Sequence, residues 1–453
     1  MSLRSINKCF RGGHKVLKVA KFGGTSTSSG EQLKKAAKII KADKDKRFIV
    51  VSAPGKRMDG DNKITDLLYL CHAHLTYSVP FDQVFKMIED RFKDISRSLC
   101  KQLDIDLYLS GIKNELNKGI SIDYLASRGE YLNALILANY LDYEFVDAKD
   151  VIFFKMDGSL DYDKTTRIMN ERLKDVQYAV IPGFYGTSAL GDIKTFSRGG
   201  SDITGSLIAS CMQADVYENW TDVSGFMMAD PRIIKNPKKI RNITYRELRE
   251  LSYMGASVLH DEAIYPVRNA NIPINIRNTN LPEDPGTIIS NEKIKEDDDL
   301  TITGIAGRKD FTIIALQKFY MNSEVGYVRR ILSILEMYDI TFENIPSGID
   351  TVSIVIDSNK LNGKLEKVLS EIDRSCSPDS INVFKNIAMI AVVGQNMAFT
   401  AGVAGRVFTA LGNAGVNIRV IDQGSSEINI IIGVNDNDLE KAIIALYEAF
   451  NKK

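Results

Sequence analysis

A chain of 453 residues with 44% apolar and 26% charged side chains is long enough for two or three globular domains. Its 58 basic and 58 acidic residues cancel, so no global field draws it to nucleic acid or to an anionic membrane. Five scattered cysteines (Cys9, Cys71, Cys100, Cys211, Cys376) and no apolar run of about 18 residues exclude a disulfide frame, a zinc site and a membrane span, and read as a reduced cytoplasmic protein.

Residues 1–14 lack an apolar h-region and read as a loose extension, not a signal peptide. A buried strand is expected from Val16 to Ala20. It runs into Lys21-Phe22-Gly23-Gly24-Thr25-Ser26, and a helix follows from Gly30 with Leu33, Ala36, Ala37 and Ile40 on one face. Strand, glycine pair and helix let backbone N–H groups approach a phosphate, and Lys21 is a compact cation able to follow its charge. A plain tight turn with a solvated lysine is the other reading, because the G-x-x-x-x-G-K-[ST] phosphate loop is missing.

Phe48–Val51 is an apolar run suited to a strand buried on both faces. It ends in Ser52-Ala53-Pro54-Gly55 and a polar loop to Asn62. Ser52 and Thr65 flank that loop, as substrate contacts or as helix caps. A pair of packing helices is expected over Phe81–Lys118. His72 and His74, two apart on the preceding helix, point to different faces and are not metal ligands. The helical stretch Asp123–Tyr140 contains Gly129, which costs a helix about 1 kcal/mol and implies close approach by another group. Glu130 beside it faces either that group or solvent. Glu144–Asp147 and Tyr178–Ile181 are further strands, the second ending in Pro182-Gly183-Phe184. Strands alternate with helices and glycines follow the strands. That pattern is an α/β domain with a mostly parallel sheet and ligands beyond the strands' carboxyl ends.

A second chemical centre is Ser197-Arg198-Gly199-Gly200-Ser201-Asp202, opening the helix Ile203–Met212. The glycines make an anion nest, Arg198 has the fork for a carboxylate or phosphate, and Asp202 sits in the first turn. A strand over Asp215–Asn219 leads to Thr221 and Asp222, and a later turn holds Arg232.

KFGGTS at Lys21, VVSAPG at Val50, SRGE at Ser127, SRGGSD at Ser197, TDVSGF at Thr221, ADPR at Ala229, MGASVLH at Met254 and IPINIRNT at Ile272 resemble, in order, the aspartate kinases of the amino-acid kinase superfamily. The resemblance implies an amino-acid kinase fold, a mostly parallel central sheet flanked by helices, over residues 15–290. It also implies transfer of the ATP γ-phosphate to the side-chain carboxylate of L-aspartate, giving 4-phospho-L-aspartate, the first step toward lysine, threonine and methionine. Lys21 and Asp202 would be catalytic. Phe22, Gly23, Gly24, Ser26, Thr221, Asp222, Met227 and Arg232 would join Lys21 around ATP, whose phosphates carry Mg²⁺. Ser52, Thr65, Glu130, Arg198 and Ser201 would bind aspartate, Arg198 taking the α-carboxylate and Glu130 the α-ammonium or a partner of it. A carboxylate nucleophile is already ionised, so no general base is needed. The chain departs from the family at Ser257 and Asp261, where many relatives read G-A-K-V-L-H-P, and at Met227, where many have an aromatic residue.

Residues 291–300 read as a charged linker. Beyond it Ile314-Ala315 recurs as Ile390-Ala391, Gly326 as Gly402, Leu335 as Leu411, Ile345 as Ile421, Ile354 as Ile430 and Ile356 as Ile432. Two α+β modules follow, 301–380 and 381–453, resembling ferredoxin-like ACT domains, with residues 301–310 shared into the second. Such modules expose sheet edges, which predicts a homo-oligomer, a dimer first. The resemblance makes lysine the expected inhibitor, with threonine as alternative or co-effector. Its site would combine Met321, Ser323, Gly326 and Tyr327 with Glu343, Ser347, Gly348, Ile349 and Asp350, the acids supplying charge for an ammonium. The alternatives are a kinase for another amino acid and a non-catalytic amino-acid sensor.

Overall fold

The structure is a computed structural model that describes residues 16–99, 103–197, 199–255, 259, 261–292 and 301–451. The chain divides into two compact units. The first runs to Phe226 and takes in Arg241–Tyr245 and the residues after 258 up to the linker; the second holds Met227–Ile240, the residues after 245 up to 257, and the C-terminal part. No helix among the described residues is long and apolar enough to cross a membrane.

In the first unit the strands are β1 (Lys18–Phe22), β2 (Lys46–Val51), β3 (Glu144–Phe145), β4 (Ala179–Pro182), β5 (Tyr185–Thr187), β6 (Ile193–Thr195), β7 (Val216–Thr221), β8 (Asn242–Thr244), β9 (Ile274–Asn278) and β10 (Thr287–Ser290). Eight form one sheet in the order β3-β4-β2-β1-β7-β9-β10-β8, parallel throughout except between β9 and β10. β5 and β6 form a separate hairpin. β1 lies at the centre, and its residues from Val19 to Phe22 are buried. It starts and ends later than the sequence suggests. Pairing with β2 and β7 on both sides carries the ladder through Lys21 and Phe22, so Lys21 projects from a strand and not from a turn.

Helix Gly30–Lys41 begins where Ser29 Oγ accepts the Gln32 N–H, and it buries Leu33, Ala36, Ala37 and Ile40. Helices Asp82–Ser98 and Ile105–Leu116 bury Phe85, Ile88, Phe92, Leu109 and Leu116 in the same core, which Phe22 and Trp220 reach from the sheet. These helices are packing, and each fully buried phenylalanine contributes about 1.5–3 kcal/mol.

The second unit holds β11 (Gly304–Gln317), β12 (Thr351–Asp357), β13 (Ser380–Val393), β14 (Val420–Asp422) and β15 (Asn429–Asn435), antiparallel in the order β12-β11-β13-β15-β14. β11 works in two halves. Phe311–Gln317 pairs with both β12 and β13, while Gly304–Arg308 pairs with Met389–Val393 of β13 alone. The register shifts between the halves, where Asp310 and Asn386 adopt positive φ. Helices Tyr327–Met337 and Val403–Asn413 begin at Gly326 and Gly402, whose φ of +81° and +83° put both in the left-handed region.

One part of the sequence repeat is corrected by the pairing. Ile314 faces Ile354 and Ile390 faces Ile432, so Ile354 matches Ile432 and not Ile430. The turn of the second copy is two residues longer. A slip of two leaves every side chain on its original face, which is why the apolar pattern conceals it.

Candidate active site

The carboxyl ends of β4, β2, β1 and β7 surround a cavity of about 550 Å³. At its base Lys21 Nζ lies 2.6 Å from Asp202 Oδ1, and Asn219 Nδ2 donates to the same oxygen at 2.7 Å. Lys21 is 7% exposed. Its charge is therefore fixed by a partner held on the first turn of helix Gly200–Cys211, whose dipole favours that carboxylate. The glycine turn is braced on two sides. Gly23 N–H donates to the Trp220 carbonyl at 2.9 Å, and Gly24 accepts from Gly55 N–H at 2.8 Å. Gly183 lets the turn after β4 pack on Ser201, whose Cβ would lie 2.6 Å from any Cβ there.

Glu130 reaches the cavity from helix Ile122–Leu141. Its helix approaches because Gly129 has no Cβ; one would sit 2.7 Å from Ala53 Cβ. Glu130 is buried, its Oε2 has no hydrogen-bond partner, and burial pushes its carboxyl up to about 8. A carboxyl in that state keeps its proton at neutral pH, and a cationic group arriving beside it favours the ionised form. Next to it, Arg128 is caged over the rings of Tyr131, Tyr124 and Tyr185 at 4.3, 4.5 and 5.5 Å, and donates to Ser127 Oγ. Spacing and composition alone mark no role for Arg128.

Lys21, Gly23, Gly24, Ser52, Thr65, Glu130, Ser201, Asp202, Thr221 and Asp222 all line this cavity. Phe22 and Ser26 do not. Phe22 stacks on Trp220 in the core, and Ser26 Oγ bonds Thr279 Oγ1 at 2.7 Å, so neither side chain is offered to a ligand. Met227 and Arg232 belong to the second unit, where Met227 bridges Lys239 and Arg232 pairs with Asp230. Arg198 and Ser257 lie outside the described residues, as does the side chain of Asp261. Lys56 and Lys63 also line the cavity and were missed, because exposed loop lysines carry no pattern. A larger cavity of about 1120 Å³ lies against Thr195–Ser197; its wall mixes aromatic and polar side chains and, unlike the smaller cavity, has no carboxylate.

In the second unit the candidate effector residues separate. Ile349 and Asp350 meet the turn after β11: Asn322 N–H donates to the Ile349 carbonyl, and Tyr320 N–H to Asp350 Oδ1 at 2.9 Å. Met321 and Tyr327 are buried in the module's core, leaving Ser323 and the Gly326 turn nearer the surface. Glu343 is not part of that cluster. Its N–H pairs with the Val355 carbonyl further along β12, and its buried carboxylate lies 3.4 Å from Lys360 Nζ.

The amino acid kinase family matches residues 17–278, and an ACT domain matches residues 390–450. The chain is 37% identical to aspartokinase 3 of Bacillus subtilis over 96% of its length and 98% of the relative. It is 55% identical to the aspartate kinase of Clostridium acetobutylicum, described as an allosteric enzyme, covering 96% of this chain and all of that one at a TM-score of 0.89. Escherichia coli aspartokinase III, solved with aspartate and ADP and with lysine and aspartate, shares the fold at 24% identity over 96% of this chain and all of that one, with TM-scores of 0.72 and 0.73. With a braced glycine turn, a buried lysine–aspartate pair and an unpartnered glutamate converging at the sheet's carboxyl ends, and relatives matched end to end, the chain belongs to the aspartokinases, ACT-regulated kinases that phosphorylate aspartate.

Proposed function

We propose that the cavity of about 550 Å³ is where the γ-phosphate of ATP passes to the aspartate side chain. Lys21, held by Asp202, follows the charge on the transferring phosphoryl group. Gly23 and Gly24 cradle phosphate oxygens, and Thr221 and Asp222 contact the nucleotide. Ser52, Thr65, Ser201 and Arg198 bind aspartate, and Glu130 holds its α-ammonium. The observation that carries this reading is the orphan Oε2 of Glu130, a buried acceptor on a cavity otherwise suited to anions. Mg²⁺ bound through the nucleotide phosphates would supply further charge neutralisation. That ion would be carried by the nucleotide, and Asp222 on the cavity wall fits it. An ATP-dependent hydroxamate assay across aspartate, glutamate and acetylglutamate tests the assignment. Turnover of aspartate alone is expected, and turnover of another acid in its place overturns it.

We further read the enzyme as a cytoplasmic homodimer in the route to lysine, threonine and methionine, inhibited by lysine, with threonine as a second effector. Lysine accompanies aspartate in the E. coli aspartokinase III structure. Here Asp350 and the Gly326 turn support an amino-acid site, and the exposed side chain of Ile349 supports pairing of modules.

A further inference from the structure

The chain between Pro54 and Ile64 is a loop closed on itself, with Ile64 N–H donating to the Pro54 carbonyl at 3.1 Å. Arg91, from helix Asp82–Ser98, fills it and is 5% exposed. Its guanidinium donates to the Gly55 carbonyl at 3.1 Å and to both Asp61 oxygens at 2.8 Å. Arg57 grips the same carboxylate through its backbone N–H at 3.0 Å and its Nε at 2.9 Å. The loop is also tied to the phosphate turn. Gly55 N–H donates to the Gly24 carbonyl, and a Cβ on Gly55 would lie 2.7 Å from the Gly24 carbonyl carbon. One buried arginine is thus a single residue away from the turn that receives phosphate.

The strapped loop carries Lys56 and Lys63, both exposed and both on the cavity wall. No ion pair occupies either among the described residues. Lys21, by contrast, is neutralised by Asp202. A triphosphate and a dicarboxylate bring several negative charges into this space, and a pair that is already neutral attracts neither from a distance.

We propose that Lys56 and Lys63 bind the anionic oxygens of the two substrates, and that Arg91, acting through Asp61 and the Gly55 carbonyl, positions the loop that presents them. Lys56 adjoins Gly55, which is bonded to the phosphate turn, and serves the triphosphate. Lys63 lies two residues before Thr65 and serves the amino acid. The inference rests on the reading of this cavity as the substrate site.

The test is steady-state kinetics with both substrates varied, together with calorimetric ADP binding, on the full chain. Lys56→Met is expected to raise the ATP KM and the ADP Kd about tenfold with the aspartate KM unchanged; Lys63→Met is expected to do the reverse. Neither should shift the thermal midpoint, because both side chains are exposed. Arg91→Lys keeps the charge but loses the fork, and should raise both KM values together. Asp61→Asn repeats that test from the loop side if Arg91→Lys does not fold. Wild-type KM values in the Lys56→Met/Lys63→Met double variant overturn the proposal. So do Arg91→Lys and Asp61→Asn variants that lose thermal stability with both KM values intact, which would make the strap structural only. Lys21→Ala serves as the control. If it keeps full activity, the site reading itself fails; if it loses activity while the lysine variants stay normal, only this inference fails.

Discussion

The two sheets use direction differently. In the first unit neighbouring strands run the same way, so the turns after β4, β2, β1 and β7 emerge side by side and pool their residues in one cavity. In the second unit strands alternate, turns leave from both ends, and the candidate effector residues divide between a turn at one end of β12 and Glu343 beside its middle. A parallel sheet concentrates groups that must act together within one reaction. An antiparallel one distributes them, which suits a site whose ligand works by preferring one arrangement over another.

The largest single effect belongs to the parallel unit. Lys21→Ala is expected to lower kcat roughly 10²–10³-fold, the usual loss for a group that stabilises developing charge. Asp202 keeps its Asn219 hydrogen bond, so the fold should survive. A turnover number near wild type would break the comparison at its strongest point.

Glu130→Gln comes next, with an expected rise in aspartate KM worth about 1.5–3 kcal/mol, the value of a hydrogen bond to a charged group. Here pH sharpens the test. Burial raises this carboxyl from an ordinary 4.5 to about 8, so the free enzyme holds its proton at neutral pH. An α-ammonium needs the ionised form. Aspartate KM should therefore fall as pH rises from about 6.5 toward 8.5, and binding should release a proton, measurable by calorimetry in buffers of different ionisation enthalpy. Stability runs the other way. The native state binds the extra proton between 4.5 and about 8, so the ligand-free thermal midpoint should drop as pH climbs through that window. Glu130→Gln should flatten both curves.

Gly129→Ala is a packing test of the same region. A Cβ 2.7 Å from Ala53 overfills the contact that brings Glu130 to the cavity, and about 1–3 kcal/mol of stability should be lost in denaturant titration. An unchanged midpoint would mean that the helix has room to move.

The smallest effect on the uninhibited enzyme is expected in the antiparallel unit. Asp350→Asn should weaken lysine inhibition several-fold, roughly 1 kcal/mol of coupling, with basal kcat near wild type. Glu343→Gln, in contrast, should act mainly through stability, because its carboxylate is buried beside Lys360. A lysine dose–response that moves for Glu343→Gln and not for Asp350→Asn would reverse this division.

Much of this was legible in the sequence, for identifiable reasons. Short apolar runs ending in glycine announce β1, β2 and β4 and the end at which ligands sit, and Gly129 announces a close approach that proves to be Ala53. What stayed hidden depends on partners distant in sequence. Nothing near Arg91 indicates that it reaches Asp61 across 30 residues, nor does anything near Glu343 indicate that Lys360 covers it. Phe22 and Ser26 sit inside the family's motif, yet their side chains serve the core; a motif marks backbone position as readily as side-chain contact. The two-residue slip between the repeats was invisible because β-strand alternation repeats every two residues.

The divided strand β11 has a consequence for anyone who cuts this chain. Met389–Val393 is hemmed on one side by Asn429–Gly433 and on the other by Gly304–Arg308, which precedes it by some eighty positions. A fragment beginning at Ser380 would keep the first neighbour and lose the second, baring a row of wholly apolar residues from Met389 to Val393 along an open edge. Such an edge recruits other chains into aggregates. The C-terminal repeat is therefore no cassette to be expressed, swapped or grafted by itself. A transplant has to begin at or before Gly304 and carry both repeats.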